Sequence, residues 1–243
     1  MVYTLIRLLG TPFVKTLFRL KVEGRENLPK PPYILASNHN DGSDPLFIVA
    51  AVRKNVYFLA KKRLFHPPIK ARHIIKITKH IPIEVGKGQS TQVLTRVKEE
   101  YLAKKKIFGI FPEGTTLGGK MILEPKTGVA RIALMSKCPV IPVAINGSHG
   151  ILPIQSRIIR KLSKVKVTIG KPMTFEKYYK QEENKPALNE IAKEIMAEIK
   201  KMYDVNFEEY DNSKKEKRKF FVIEREPEHS IEKNGDIIIR GRV

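Results

Sequence analysis

The sequence predicts an α/β fold, a largely parallel central sheet flanked by helices, preceded by an amphipathic helical segment. Two observations carry this. From Pro31 onward, short β-rich runs alternate with stretches of helical periodicity, the pattern of strands joined by helical crossovers. Three reactive side chains, His39, Lys61 and Glu113, each follow one of those runs closely, and in such sheets ligands sit at the carboxyl ends of the strands.

The first segment, residues 1–22, has Val2, Ile6, Leu9, Phe13, Leu17 and Leu20 at spacings of three and four. Arg7, Thr11, Lys15 and Arg19 gather on the other side, and no acid precedes Glu23. This is a basic amphipathic helix, expected to kink or break at Pro12. Docking on the protein's own core and lying on a membrane surface both satisfy the pattern. No run reaches the roughly 20 apolar residues of a membrane span, and the start lacks a signal-peptide cleavage pattern.

The main domain is expected over 23–203. Strands are predicted at 33–37, 56–60, 106–111, 139–145 and 164–170, and helices near 45–53, 90–105, 127–137 and 187–202. The remainder, 204–243, reads as a charged linker, "DNSKKEKRK", and an appendage with an Asn234-Gly235 hairpin signal. No internal repeat is evident.

With 243 residues and 42% hydrophobic content the chain is long enough for one substantial core. Its 46 Lys and Arg against 25 Asp and Glu give a net charge of +21, so its partners are expected to be anionic. Aromatic content is 8%, tryptophan is absent, and no interleaved basic and aromatic pattern is present, which argues against nucleic acid. The single cysteine, Cys138, excludes an internal disulfide and a thiolate-built zinc site. It reads as a small buried hydrophobe.

The stretch "NHNDGSD" (38–44) puts His39 five positions before Asp44. On a regular helix they would lie about 140° apart, so any contact requires a turn, which Gly42 and Ser43 supply. Asp44 before Pro45 also fits an N-cap with proline at the first helical position. Two readings stand on these residues: a cap beside a loop histidine, or a carboxylate orienting one imidazole nitrogen so that the other takes a proton from a hydroxyl. "FPEGTT" (111–116) likewise fits a strand and a Pro-Gly turn. Lys61, Lys62 and Arg63 fit either a solvated charge run or a phosphate contact. No His-Glu-x-x-His spacing and no nucleotide-binding glycine loop is present.

"NHNDGSD", "AKKRLFHPP" (60–68), "FPEGTT" and "VIPVAING" (140–147) resemble, in order, the four blocks of the glycerolipid acyltransferases. Within that superfamily the chain looks like the 1-acylglycerol-3-phosphate acyltransferase branch. The likeness runs from "KVEGRENLPK" (21–30) to about Gly170. It implies the glycerolipid acyltransferase-like fold and transfer of an acyl group from a thioester, acyl-CoA or acyl carrier protein, to the free hydroxyl of a lysolipid. No metal or cofactor is implied. His39 would be the general base and Asp44 would hold its tautomer. Asn38, Lys61, Glu113, Gly114, Thr115 and Pro142 would bind substrate, with Lys61 at the acceptor phosphate and Glu113–Thr115 as the acceptor loop.

The pattern is not complete. The family's usual arginines are replaced by Val85, after the "IPIE" strand, and by Thr116; Arg63 and Ala71 stand where glutamate and glycine are frequent. Arginine grips phosphate bidentately and lysine does not copy it. Lys87, Lys120, Lys126 and Arg131 are possible substitutes, and another lysophospholipid or a lyso-aminolipid is the alternative acceptor. The resemblance further implies a peripheral protein on the cytoplasmic side of the membrane, with lipid surface, lysolipid and donor as partners. Two other classes compete: a non-catalytic basic binding module, and an α/β hydrolase, whose Gly-x-Ser-x-Gly elbow is missing.

Overall fold

In the computed structural model, which describes residues 2–66, 72–84, 90–115, 122–152, 159–160, 162–204 and 207, the chain opens with α1 (Val2–Leu17) and β1 (Lys21–Glu23). It continues through β2 (Tyr33–Ser37), α2 (Asp44–Val52), β3 (Val56–Lys61), α3 (Arg72–Ile77) and β4 (Ile81–Ile83). Then come α4 (Ser90–Val97), β5 (Ile107–Ile110), α5 (Gly128–Ser136), β6 (Val140–Asn146), β7 (Lys166–Ile169) and α6 (Lys185–Met202).

The sheet order is β1-β7-β6-β2-β5-β3-β4. Neighbours pair in parallel except β6 with β7, so β7 and β1 form a reversed pair at one side of a five-strand parallel block. The predicted strands are all present, shifted at their ends by a residue or two. Two three-residue edge strands join them, β1 and β4, each too short for an alternating pattern to stand out.

Every residue of β2 is buried, as expected of a central strand covered on both faces. Period-2 alternation divides its side chains. Ile34 and Ala36 join Phe108, Val140 and the buried stripes of α4, α5 and α6, while Tyr33 and Leu35 join Phe47, Ile141, Val143 and the inner side of α1 and α2. In α6, Leu188, Ile191, Ala192, Ile195 and Ile199 form that stripe, and Asn184 caps the start by accepting from the Ala187 N–H at 3.3 Å.

α1 runs unbroken through Pro12, which corrects the expected break. Its packed face also differs from the predicted stripe. Tyr3 and Val14 are buried, as is Phe18 just beyond the helix, whereas Val2, Leu5, Leu8, Leu9 and Phe13 are exposed. Polar clips account for this orientation: Tyr3 Oη donates to the Val56 carbonyl at 2.6 Å, Arg7 Nε to Asn55 Oδ1 at 3.1 Å, and Asn55 Nδ2 to Thr4 Oγ1 at 3.0 Å. Among the described residues no helix is long and apolar enough to cross a membrane.

Candidate active site

The parallel block brings the carboxyl ends of β2, β5 and β3 side by side, and with them His39, Glu113 and Lys61. Asn38 anchors the first of these ends. Its Nδ2 donates to the Ile145 carbonyl at 2.9 Å and its Oδ1 accepts the Ile145 N–H at 2.8 Å. The side chain thus continues the ladder between β2 and β6, fully buried. With both ends of its amide engaged by backbone, Asn38 sits in the frame of the site.

The chain then folds back on itself. Asp44 Oδ2 lies 2.9 Å from His39 Nδ1 and accepts the Asp41 N–H at 2.8 Å. The carboxylate therefore points back into the turn and makes no capping bond within α2, which starts at Asp44 with Ser43 before it and no side-chain cap. The capping half of the sequence expectation is corrected on this point. Oδ2 takes both of these contacts, and the buried Oδ1 accepts no N–H of the first helical turn. Asp44 is fully buried, and the His39 side chain retains 20% exposure.

Asp41 holds the turn together and was missed from sequence. Its Oδ1 accepts three donors: the Ser43 N–H at 2.9 Å, Ser43 Oγ at 2.7 Å and the Leu152 N–H at 2.9 Å. The Gly42 N–H returns to the Leu152 carbonyl at 3.2 Å. An aspartate two residues before a serine is an Asx-turn signal, and it was legible in "DGSD".

The His39 ring is fixed on its face as well as its edge. Phe111 stacks on it, with centroids 3.9 Å apart and planes inclined by 13°, and Phe58 stacks behind Phe111 at 5.6 Å and 11°. Nε2 of His39 makes no hydrogen bond to a described residue. The ring thus offers one free nitrogen, held in a known direction.

Glu113 reaches across from the β5 loop. Its Oε1 accepts the His39 backbone N–H at 2.7 Å and its Oε2 the Leu123 N–H at 2.9 Å. Burial pushes its carboxyl above the ordinary range, against the opposing pull of those two N–H groups. Gly114 follows in the left-handed region, φ +69, where a Cβ would stand 2.9 Å from Lys126 Cδ and Nζ. The positive φ disfavours a side chain there, and the Lys126 ammonium is brought against this loop. Thr115 follows, half-buried.

Lys61 ends β3 opposite Ile83 and is half-buried. Among the described residues it makes no ion pair, whereas neighbouring Lys62 pairs with Glu84 at 2.6 Å. Pro142 lies inside β6, opposite Ala36, and its carbonyl accepts the Gly170 N–H at 2.8 Å. It is buried in the sheet, away from the rim. Arg131 Nη1 donates to Thr91 Oγ1 at 3.4 Å. Ala71, Val85, Lys87, Thr116 and Lys120 lie outside the described residues. Cys138 is buried, its Sγ near the Ser136 carbonyl and its thiol pushed up by burial.

A free imidazole nitrogen backed by a buried carboxylate can accept a proton from a hydroxyl, and cations on the same rim, the half-buried Lys61 and the exposed Lys126, can hold an anionic group. The comparisons agree with such chemistry. The family model described as Acyltransferase matches residues 19–146, more than half of the 243-residue chain. The 1-acyl-sn-glycerol-3-phosphate acyltransferase of Bacillus subtilis (strain 168) is 30% identical over 156 residues, covering 63% of this chain and 73% of that protein. The protein of the same description from Saccharomyces cerevisiae is 24% identical over 159 residues, covering 65% of this chain and 52% of that one. Among solved structures, the 1-acyl-sn-glycerophosphate acyltransferase from Thermotoga maritima superposes with a TM-score of 0.57 at 22% identity, covering 80% of this chain and 81% of that chain. That likeness bears on the fold.

Proposed function

Given that this chain belongs to the acyltransferase family and is an acyltransferase, we propose that it moves a fatty acyl group from an acyl thioester to the free hydroxyl of 1-acylglycerol-3-phosphate. The observation that carries the reading is the 2.9 Å contact between His39 Nδ1 and Asp44 Oδ2. Asp44 holds the imidazole so that Nε2 is the basic nitrogen, and Nε2 takes the proton of the acceptor hydroxyl as the oxygen attacks the thioester carbonyl. The new C–O bond forms, the C–S bond breaks, and the proton held on His39 is available to the departing thiolate. No covalent enzyme intermediate is required.

The acceptor is supported by the description of the Bacillus subtilis relative. Lys61 and Lys126 are two cations on the rim, and we assign them the acceptor phosphate in place of the family's arginines. Asn38, Glu113 and Gly114 shape the site through backbone contacts, with Thr115 beside the acceptor, while Pro142 supports it from within the sheet. The donor, acyl-CoA or acyl carrier protein, is anionic in either case, and the net charge of +21 favours its approach.

The protein acts peripherally at the cytoplasmic side of the membrane. The exposed residues Val2, Leu5, Leu8, Leu9 and Phe13 of α1 form the face that enters the headgroup region. Leu46, 45% exposed and two residues after Asp44, places apolar surface beside the site as well.

The test is thiol release from a long-chain acyl-CoA by the purified protein in detergent, with and without 1-acylglycerol-3-phosphate, for the wild type and His39→Ala. Release that needs both acceptor and His39 is expected. Silence from folded wild-type protein would overturn this pairing of donor and acceptor, and acyl carrier protein and lysolipids without a phosphate monoester would be assayed next.

A further inference from the structure

A cavity of about 110 Å³ opens where α1, β1 and the carboxyl end of α2 meet, with Lys15, Arg25 and Arg53 in its wall beside Thr11, Leu20 and Val22. At about 30 Å³ per water, it has room for three or four waters, or for one phosphoryl group. It lies at the opposite end of α2 from Asp44. Eight residue steps at a rise of about 1.5 Å separate the two by roughly 12 Å, so this is not the acceptor pocket around His39.

The charges at the cavity are uncompensated. Among the described residues no carboxylate pairs with Lys15, Arg25 or Arg53. Glu23, a neighbour in sequence, is committed to Lys21 and Lys166 at 2.9 Å each. Arg25 Nε donates to the Ala51 carbonyl at 2.8 Å, which fixes the guanidinium while leaving its terminal nitrogens for a ligand. Arg53 is anchored by its own N–H on the Val49 carbonyl at 3.0 Å, in the left-handed region with φ 56. Burial and the nearby Arg53 charge lower the Arg25 guanidinium below its ordinary range. Neutralising the last turn of α2 accounts for Arg25 and Arg7, which bond its terminal carbonyls. It does not account for the Arg53 and Lys15 side chains, which make no such bond.

The cavity also borders the exposed apolar face of α1. Lys15 stands seven residues after Leu8, which is 57% exposed, and seven residues bring a helix back to within about 20° of the same direction. With that face in a bilayer, the cavity is level with the headgroups.

We infer that this cavity is a second lipid site, which takes the phosphomonoester headgroup of an anionic membrane lipid that is not the acceptor. Three cations and a hydroxyl match a dianion, with the guanidinium forks supplying the directional bonds. The bound headgroup fixes the rotation of the protein on the membrane, at the far end of the helix whose first residue orients His39. The inference holds whether or not His39 is the base, and its test uses no acyl donor.

The test is co-sedimentation with vesicles of phosphatidylcholine alone, of phosphatidylcholine with phosphatidic acid, and of phosphatidylcholine made equally negative with a phosphate-free anionic lipid. Wild type is expected to bind the phosphatidic acid vesicles roughly fivefold or more tightly over the charge-matched ones. The double variant Arg25→Gln/Arg53→Gln loses that preference but still binds neutral vesicles through α1, and Lys15→Gln, which spares the Ala51 bond, loses part of it. Lys104→Gln/Lys105→Gln, at exposed positions elsewhere, keeps it. Equal binding to both anionic vesicles by wild type, or a preference that survives in the double variant, overturns the site. If millimolar inorganic phosphate abolishes the preference and by itself raises the melting temperature of wild type but not of the double variant, the cavity takes soluble phosphate and the lipid source is overturned.

Discussion

The backbone N–H of His39 donates to Glu113 Oε1 at 2.7 Å, tying the loop after β2 to the loop after β5 across 74 positions of sequence. Because the other oxygen of Glu113 holds the Leu123 N–H at 2.9 Å, one carboxylate ties the loop after β2 to both arms of the loop between β5 and α5. A carboxylate suits this task, since both of its oxygens accept.

Glu113→Gln has only one accepting oxygen and turns an NH₂ toward one of the two N–H groups. The expected result is a fall in kcat of about a hundredfold, the scale of a misplaced catalytic group, with KM little changed. Steady-state kinetics decide it. A raised KM at unchanged kcat would instead place the Glu113 carboxylate in direct contact with the acceptor.

Asp44→Asn keeps an oxygen for the Asp41 N–H but loses the charge facing His39 Nδ1. Activity should drop by about 10³ to 10⁴, the size of the effect where an orienting aspartate is neutralised, while circular dichroism stays that of the wild type. Retention within a few-fold would remove Asp44 from the mechanism.

Gly109 has no room for a side chain. An added Cβ would stand 2.2 Å from Phe58 Cε1, and Phe58 backs Phe111, which stacks on His39. Gly109→Ala should destabilise by about 1–3 kcal/mol, the usual cost of overpacking, and should lower kcat through the displaced stack. Thermal melting and kinetics together check this; a full melting temperature with reduced kcat would show that the stack moves without strain.

His80 sets an acid limit to stability. Its Nδ1 accepts the Phe58 N–H at 3.2 Å, and burial lowers its pKa from 6.5 to about 4. Below the ordinary value the unfolded chain takes up a proton that the folded chain refuses, so stability falls as pH drops through that window and the slope ends once the folded form protonates too. The loss amounts to about 2–3 kcal/mol. Denaturant midpoints between pH 7 and 4 should show it, and His80→Asn, whose Oδ1 can accept in place of Nδ1, should flatten the curve. An equal slope in the variant would assign the acid sensitivity to other groups.

Leu9→Glu and Phe13→Glu change residues that are 71% and 66% exposed and should leave the melting temperature unchanged. Each should weaken binding to neutral vesicles by roughly tenfold or more, from the apolar area no longer transferred. Undiminished binding would move the membrane contact to another surface.

Much of this was legible in one dimension. Alternation of β-rich and helical runs predicts a parallel sheet, a parallel sheet predicts a common rim, and "NHNDGSD" and "FPEGTT" stand where that rim falls. The family follows from four blocks in order. All of these are local patterns or their succession, which a chain carries without being folded. Which side of α1 packs inward was not of that kind: Tyr3, Arg7 and Thr4 find partners at Val56 and Asn55, and polar contacts between distant segments leave no periodicity. The same holds for Asn38, which looked like a substrate ligand and bonds Ile145, and for Glu113, whose oxygens both meet backbone. The cavity of Lys15, Arg25 and Arg53 draws on three elements whose charges, read in order, are only basic residues in a basic chain. The sequence by itself determined the sheet, the rim and the chemical class, because hydrophobic period and motif are properties of neighbours in the chain. Tertiary structure alone decided which polar groups frame the site and which face outward, because that depends on hydrogen bonds made only when segments far apart in sequence are brought together.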